Sequence, residues 1–429
     1  MNISDYAVVG VFAGAGGLDT GFSLQGFNLK LAIEINSDAC KTYKANHPDT
    51  IVWNRDIKTV TGDEILSITK RNPIILLGGS PCQSFSIFKE ELNGKKGIED
   101  ERGMLIFEYL RLVKELQPKI LVFENVKNII STEHLPAFKL FINKLNEVSN
   151  LNIHYKIMQA HDYGVPQLRE RIIVIGTEST IDPFSLIPKL KGPRVLSDIL
   201  KNCPTSEYFS FKNEYKDAMQ YIKPGQCWKA LKPSLAYKIM KNDYRGICCI
   251  CNYSFKGKLT CPRCGSKNIK NGTGVTSYLR RLSPHKPAPT ICAVPTSKAH
   301  GLMAHPYEER ALSIREAARI QSFSDEYRFC GNIYSQQIQI GNSVPPRMAE
   351  AIAIGIKKLL SNSLTSMKKE KECIRWIIEH HSNNLTELEK DFIRTCIKRI
   401  NLKKEFPPKY YIYLKEITKN ILTNMQKQQ

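Results

Sequence analysis

Short apolar runs alternate with amphipathic stretches along the first 180 residues of the chain. The apolar runs predict strands at residues 7–12, 30–35, 50–53, 74–77, 120–124, 154–159 and 172–176. Between two of these runs, residues 103–116 predict a helix with Leu105, Tyr109, Leu112 and Leu116 on one face. Alternating strands and helices predict an α/β fold with a parallel sheet covered on both sides. Such sheets bind ligands beyond the carboxyl ends of their strands.

The alternation stops near residue 185. Residues 186–285 mix Pro, Gly, Lys and aromatic residues with weak periodicity, which predicts a second, smaller and irregular domain. Order returns over residues 286–360, with helices expected at 313–321 and 347–360. We therefore expect four segments, namely 1–185, 186–285, 286–360 and 361–429.

The last segment is expected to begin with a linker at residues 361–365 and to continue as a basic helical extension. Thr386 and Glu389 form a candidate capping box. Helical spacing predicts that one face is buried, which favours packing on the rest of the protein over extra nucleic-acid contact. The apolar positions of that face are Leu385, Leu388, Phe392, Cys396 and Ile400.

Charge is concentrated in two of these segments. The chain has 429 residues and a net charge of +21. Residues 186–285 hold 19 Lys and Arg against 5 Asp and Glu, residues 361–429 hold 14 against 8, and the remainder holds 29 against 28. A basic region beside a near-neutral body is typical of a protein with a polyanion partner, although a lysine-rich solvated surface has the same composition.

Hydropathy and the first ten residues indicate the cellular location of the protein. No apolar run reaches the roughly 18 residues of a membrane span. The first ten residues lack the basic-then-apolar order of a signal peptide. We therefore expect a cytoplasmic protein with no membrane partner.

Candidate ligand-binding residues follow the first three predicted strands. Phe12 to Gly17 form a glycine-rich turn, and such turns let a ligand approach the backbone closely. Glu34 ends the second strand, where a carboxylate can accept hydrogen bonds from a ribose diol. Asp56 follows the third and is a candidate acceptor for an adenine amino group. Together they predict a nucleoside-containing cofactor, whereas the turn alone could be an ordinary tight turn.

The fourth and fifth strands are followed by reactive side chains. Cys82 comes after Pro81 just beyond the fourth strand, and a thiolate there would be a strong nucleophile. Glu124 ends the fifth strand, where burial would keep it protonated as a general acid. Arg169 and Arg171 precede the last strand and can reach the thiol, a substrate or a phosphate. The alternatives are a buried structural cysteine, a satisfied carboxylate and arginines paired with surface acids.

Four cysteines in the basic middle segment have metal-ligand spacing. Cys248 and Cys251 form one C-x2-C pair, and Cys261 and Cys264 form a second. Two such pairs predict a zinc-ribbon-like insert at residues 248–264 with a structural zinc ion. Incidental thiols or a redox pair are the alternatives. Cys249 is surplus, and the sequence leaves open whether it or Cys248 is the ligand.

Taken together, these segments resemble the cytosine-5 DNA methyltransferase family across residues 6–360. The matching motifs are FAGAGG at 12–17, PCQSFS at 81–86, ENV at 124–126, QLRER at 167–171, REAARIQSF at 315–323 and QIGNSVPP at 339–346. The resemblance implies a Rossmann-like S-adenosylmethionine methyltransferase sheet with a target-recognition domain at residues 186–285. The implied activity is methyl transfer from S-adenosyl-L-methionine to C5 of a flipped-out cytosine in a specific duplex sequence.

The resemblance also implies roles for single residues. Cys82 would be the nucleophile that forms a covalent adduct, Glu124 would contact N3 of the cytosine and Arg171 would face the same base. Arg169 would support the loop or the DNA. The cofactor pocket would be lined by Phe12, Gly14, Gly16, Glu34, Asp56, Pro81, Leu105, Asn342 and Ser343.

The implied partner is double-stranded DNA in the bacterial nucleoid. A cognate restriction endonuclease acting on the same site would accompany a monomeric enzyme. One alternative is a transfer RNA cytosine-5 methyltransferase, against which the large basic middle segment argues. The other is a catalytically inactive DNA-binding homologue, which predicts damage at Pro81-Cys82 or at Glu124. Both of these motifs are intact.

Overall fold

The computed structural model describes residues 3–70, 72–80, 105–211, 213–272, 279–293, 303–381, 385–401, 410, 413, 414 and 416–421. Pro81 and Cys82 lie outside the described residues. In the described part of the chain, no helix combines the length and apolar character needed to cross a membrane.

A seven-stranded sheet forms the centre of the molecule. Its strands are β1 (Ala7–Val11), β2 (Asn28–Glu34), β3 (Ile51–Asn54), β4 (Ile74–Gly78), β5 (Ile120–Val126), β6 (Asn152–Gln159) and, after the two-residue β7 (Gln167–Leu168), β8 (Glu170–Thr177). Their order is β3-β2-β1-β4-β5-β8-β6. All seven predicted strands are confirmed, with ends that differ by at most two residues.

The prediction of a parallel sheet was wrong for one strand. β1 to β5 pair in parallel, but β8 runs antiparallel to both β5 and β6. The connection between Gln159 and Glu170 explains this. Ten residues are too few for the helical crossover that a parallel neighbour requires.

Helices cover both faces of this sheet. On one face lie α3 (Gly62–Thr69), α4 (Leu105–Leu116) and α5 (Leu135–Val148). On the other lie α1 (Gly17–Leu24) and a late helix that contributes Met348, Ile352 and Ile356, and α2 (Ser37–Asn46) flanks β3. Neighbouring residues of one strand, such as Val8 and Val9, belong to opposite faces, as in a sheet buried on both sides.

The middle segment has its own core around Trp228 and Tyr244, both fully buried. Its helices are α6 (Ser197–Leu200), α7 (Asn213–Met219) and α8 (Pro233–Met240). A three-stranded antiparallel sheet, β10-β9-β11, follows. Its strands are β9 (Arg245–Cys248), β10 (Ser254–Lys256) and β11 (Ile269–Asn271), and the short β12 (Arg280–Arg281), β13 (Ala288–Pro289) and β14 (Met303–Ala304) come after them.

The late helices return to the central sheet. α9 (Ile314–Ile320) and α10 (Ile333–Asn342) precede α11 (Pro346–His381). α11 packs so closely on α1 that a Cβ at Gly21 would lie 2.4 Å from Ala349. The helix expected at 313–321 is confirmed, with Ser313 and Glu316 forming a capping box.

The expected linker at residues 361–365 was wrong, because α11 continues through it to His381. These five residues contain neither Pro nor Gly. The Ser361 hydroxyl donates to the Lys357 carbonyl at 2.8 Å, which satisfies it inside the helix.

The extension includes α12 (Glu387–Asn401), which begins with the expected Thr386–Glu389 capping box. Leu385 and Cys396 are buried as predicted, but Leu388 is 80% exposed. Ile393 packs in its place because the buried face is turned toward Ile374 and Ile377 of α11. The side chain of Ile400 lies outside the described part of the chain.

Candidate active site and metal centre

The ends of β4 and β5 bring the backbone that leads to Pro81 beside Glu124. Gly78 and Phe123 are register partners in these parallel strands. The buried Asn125 side chain donates to the Ser80 carbonyl at 2.8 Å. A Cβ at Gly79 would lie 2.5 Å from the Glu124 carbonyl oxygen. The chain is therefore fixed against Glu124 at Ser80, two residues before Cys82.

Glu124 forms a nearly buried ion pair. Arg171 Nε lies 2.8 Å from Glu124 Oε1, and the two side chains are 12% and 13% exposed. Burial raises the pKa of Glu124, while the nearby charges of Arg171 and Arg169 oppose that rise. A carboxyl group with a raised pKa holds its proton closer to neutral pH, as a general acid must.

Arg169 lies in the interior rather than at the surface. Its side chain is fully buried and donates to the carbonyls of Gly341 and Ser343, at 2.9 and 2.8 Å, and of Ile291, at 3.2 Å. Of the two roles that the resemblance implied, this position favours support of the chain over contact with DNA.

Two glutamines complete this buried connection, and the sequence interpretation gave neither a role. Gln167 donates to Gln321 Oε1 and accepts from the Ile291 amide. Gln321 in turn donates to the Ser343 carbonyl at 2.7 Å. The available signal was that both glutamines lie inside the sequence motifs at 167–171 and 315–323. The network fixes the 340–343 segment to the strand that carries Arg171.

The predicted cofactor turn has left-handed backbone at Phe12, Gly14 and Gly16, with φ of 53°, 54° and 85°. The Gly14 amide donates to Glu34 Oε2 at 2.9 Å, which ties the turn to the end of β2. A Cβ at Gly14 would meet nothing within 4 Å, so the turn faces open space. Among the described residues, each carboxylate oxygen of Glu34 has one donor, the amide of Gly14 or of Asn36, and retains capacity for a second.

Other predicted cofactor residues lie around this turn. Asp56 follows β3, the neighbour of β2, and accepts from the Lys58 amide at 3.0 Å. Leu105 begins α4. Like Phe12, it packs against the core on the face of the sheet that α3, α4 and α5 cover. The motif at residues 339–346 lies beside α1, since a Cβ at Gly17 would be 3.1 Å from Ser343 Cβ. Asn342 precedes it and is exposed.

A buried polar cluster behind the turn was missed by the sequence interpretation. Asp19 is 2% exposed and accepts from the Tyr43 hydroxyl at 2.9 Å. Burial raises the pKa of Asp19 to about 6. Tyr327 donates to the Ala15 carbonyl within the turn. An Asp among the apolar residues of α1 was the only sequence signal, because its partners are distant along the chain.

The four predicted metal-ligating cysteines converge. The sulfurs of Cys248, Cys251, Cys261 and Cys264 all lie within 4.8 Å of one another, and two of the pairs are 3.5 Å apart. A tetrahedral zinc site with Zn–S bonds of about 2.3 Å has edges of roughly 3.8 Å, so the cluster fits zinc. The amides of Ile250 and Cys251 point at Cys248 Sγ, whereas Cys249 is exposed and outside the cluster.

Known DNA methylases are similar to this chain over most of its length. Residues 6–358 match the family model of C-5 cytosine-specific DNA methylases. The Type II methyltransferase M.PspPI of Psychrobacter sp. is 32% identical, over 83% of this chain and 80% of that protein. M.DdeI of Desulfomicrobium norvegicum is 31% identical, over 86% and 93%.

Solved structures agree with the sequence match. A prophage-encoded protein of Escherichia coli, described as a DNA modification methyltransferase, superposes with a TM-score of 0.56 at 25% identity. The match covers 83% of this chain and 99% of that protein. The chain therefore belongs to the C-5 cytosine-specific DNA methylase family and is a cytosine-5 DNA methyltransferase.

Proposed function

We propose that this enzyme methylates C5 of a flipped-out cytosine within a specific duplex sequence through a covalent bond to Cys82. The observation that carries the proposal is the buried Glu124–Arg171 pair, held against the backbone that leads to Pro81-Cys82. A nucleophile, an acid and a cation would then meet at one edge of the sheet.

The residues divide the reaction into steps. The Cys82 thiolate attacks C6 of the cytosine, while Glu124 gives its proton to N3. These changes turn C5 into an enamine carbon that accepts the methyl group. A base then removes the C5 proton, the S–C6 bond breaks and N3 returns its proton. Arg171 orients Glu124 and faces the cytosine ring. Arg169 acts as a positioning residue that holds the 341–343 backbone.

The cofactor proposed is S-adenosyl-L-methionine, which supplies an electrophilic methyl group on a sulfonium. The open turn at Gly14 and the spare acceptor capacity of Glu34 fit the sugar and backbone of such a nucleoside. Asp56 would accept from the adenine. Phe12, Gly16, Pro81, Leu105, Asn342 and Ser343 would line the remaining pocket.

Residues 186–285 are proposed as the target-recognition domain, with a zinc ion in the four-cysteine cluster as its structural element. Its excess of Lys and Arg suits phosphate contacts, which make binding dependent on salt. Residues 1–185 and 286–360 would form the catalytic domain. Because related chains are named Type II methyltransferases, we include a companion endonuclease at the same site in the proposal.

Expression in a bacterial host that lacks cytosine methylation tests the proposal. Methylation-sensitive sequencing of host DNA should reveal 5-methylcytosine at one short recurring sequence. The Cys82→Ala variant should leave no mark while still binding S-adenosylmethionine. Methylation of transfer RNA with no mark in duplex DNA would overturn the proposal.

A further inference from the structure

The three-stranded sheet of the middle segment has one face buried and one face exposed. The inner face carries Gly246, Cys248, Phe255 and Ile269, which lie against the four-cysteine cluster and the core around Trp228 and Tyr244. Asn271, at the end of β11, donates to the carbonyls of Lys229 and Leu231 and fixes the sheet to that core. The sheet is therefore rigidly mounted.

The outer face carries three exposed cations. Strand register pairs Lys256 with Arg245, and it pairs both Ser254 and Lys270 with Ile247. Because directly opposed residues share a face, Arg245, Lys256 and Lys270 project to the same side. All three are exposed.

Placing the cations Arg245 and Lys256 opposite each other is electrostatically unfavourable unless an anionic partner binds them. Directly opposed residues place their Cβ atoms about 5 Å apart, and like charges in such a pair destabilise a sheet. The one ion pair that any of the three forms with a described residue joins Lys256 Nζ and Asp243 Oδ1 at 3.4 Å. Residues 245–272 contain six Lys and Arg and no Asp or Glu.

We infer that this outer face, defined by Arg245, Lys256 and Lys270, binds the phosphate backbone of the DNA duplex. A polyanion with closely spaced charges relieves the repulsion between the opposed cations, and this charge complementarity identifies the occupant. Ser254 adds a neutral donor to the face. The inference rests on the proposed function, because it assigns part of the DNA contact to the metal-stabilised sheet.

Salt-dependent binding tests the assignment. The full-length variant Arg245→Gln, Lys256→Gln, Lys270→Gln is titrated onto a fluorescent duplex between about 50 and 200 mM salt. A matched control removes three exposed lysines of the catalytic body, Lys114→Gln, Lys139→Gln and Lys156→Gln. We expect a slope of log K against log salt that is shallower by about one unit per lost contact, and binding weaker by roughly tenfold or more, only in the first variant.

A single substitution separates folding from binding. Arg245→Glu places a carboxylate opposite Lys256, keeps the Lys256–Asp243 ion pair and should raise the midpoint of thermal unfolding while weakening DNA binding. Equal slopes for wild type, the outer-face variant and the control would overturn the inference, even if wild type still methylates DNA. A wild-type enzyme that binds no duplex would overturn the proposed function as well.

Discussion

Arg171 Nε lies 2.8 Å from Glu124 Oε1, and neither side chain is more than 13% exposed. Two neighbouring strands produce this contact, because Arg171 is the second residue of the antiparallel β8 and lies opposite Val126 at the end of β5. Burial raises the pKa of Glu124, and the neighbouring Arg171 fixes the orientation of its carboxyl group. An acid held in this way can give its proton to a pyrimidine nitrogen, which is the step that the proposed function assigns to Glu124.

Replacing Glu124 with Gln should lower kcat by about 100-fold to 10,000-fold, because an amide can contact N3 but cannot give it a proton. Binding of S-adenosylmethionine, measured by calorimetry, should not change. Glu170→Gln is the matched control, since Glu170 pairs with Lys127 at the surface. Equal rates for the two variants would contradict the role of Glu124.

Replacing Arg169 with Met should lower the free energy of unfolding by about 3 kcal/mol or more, because buried carbonyls lose their donors. Urea denaturation measures this change. Arg375→Met removes a cation from an exposed pair with Glu379 at 3.8 Å and should change stability by less than about 0.5 kcal/mol. A similar loss in both variants would show that Arg169 is not a structural support.

Asp19 should make stability depend on pH. Its pKa is raised to about 6 from an ordinary 3.8, so its native state binds the proton more tightly than its unfolded state. The contribution of Asp19 to the free energy of unfolding is fully present below about pH 4. It is lost as pH rises through 6, which lowers the free energy of unfolding by roughly 3 kcal/mol in total. Asp19→Asn should therefore gain stability relative to wild type between pH 4 and 7.

The difference in free energy of unfolding between wild type and Asp19→Asn reports on Asp19 alone, apart from its neighbours. Burial lowers the pKa of the nearby His47 to about 4, which gives wild type an opposite trend over the same range. Because His47, Tyr43 and Tyr327 are present in both proteins, their contributions largely cancel. A stability difference that does not vary with pH would show that Asp19 is not perturbed.

The purified chain should contain one zinc ion, and Cys264→Ser should lose it. Cys249→Ser should retain it, because Cys249 is exposed and outside the cluster. Elemental analysis of the variants by mass spectrometry measures the metal content. Loss of zinc from Cys249→Ser with retention in Cys248→Ser would reverse the ligand assignment.

The sequence predicted the strands well because burial on both faces produces continuous apolar runs, as in Ile74–Gly78. Strand direction does not change the apolar pattern, and the short connection before β8, which was its signal, was overlooked, so the antiparallel β8 was missed. The continuity of α11 through residues 361–365 was also missed, since Ser, Asn and Thr are weak helix formers and tertiary context overrides that propensity here.

Within the candidate site, the sequence identified residues that follow strand ends, because the end of a strand is a local feature. Glu34, Asp56 and Glu124 all lie there. Contacts between distant residues were not predictable in this way. Tyr327 reaches Ala15 across 312 positions, and only the folded chain brings these residues together.

The most direct test of the central claim uses duplex DNA with 5-fluorocytosine at the methylated position, together with S-adenosylmethionine. Fluorine cannot leave C5 as a proton does, so the S–C6 bond should persist. We expect a denaturation-resistant protein–DNA adduct whose cross-linked peptide, identified by mass spectrometry, contains Cys82. An active enzyme that forms no adduct, or full activity in Cys82→Ser, would contradict the account.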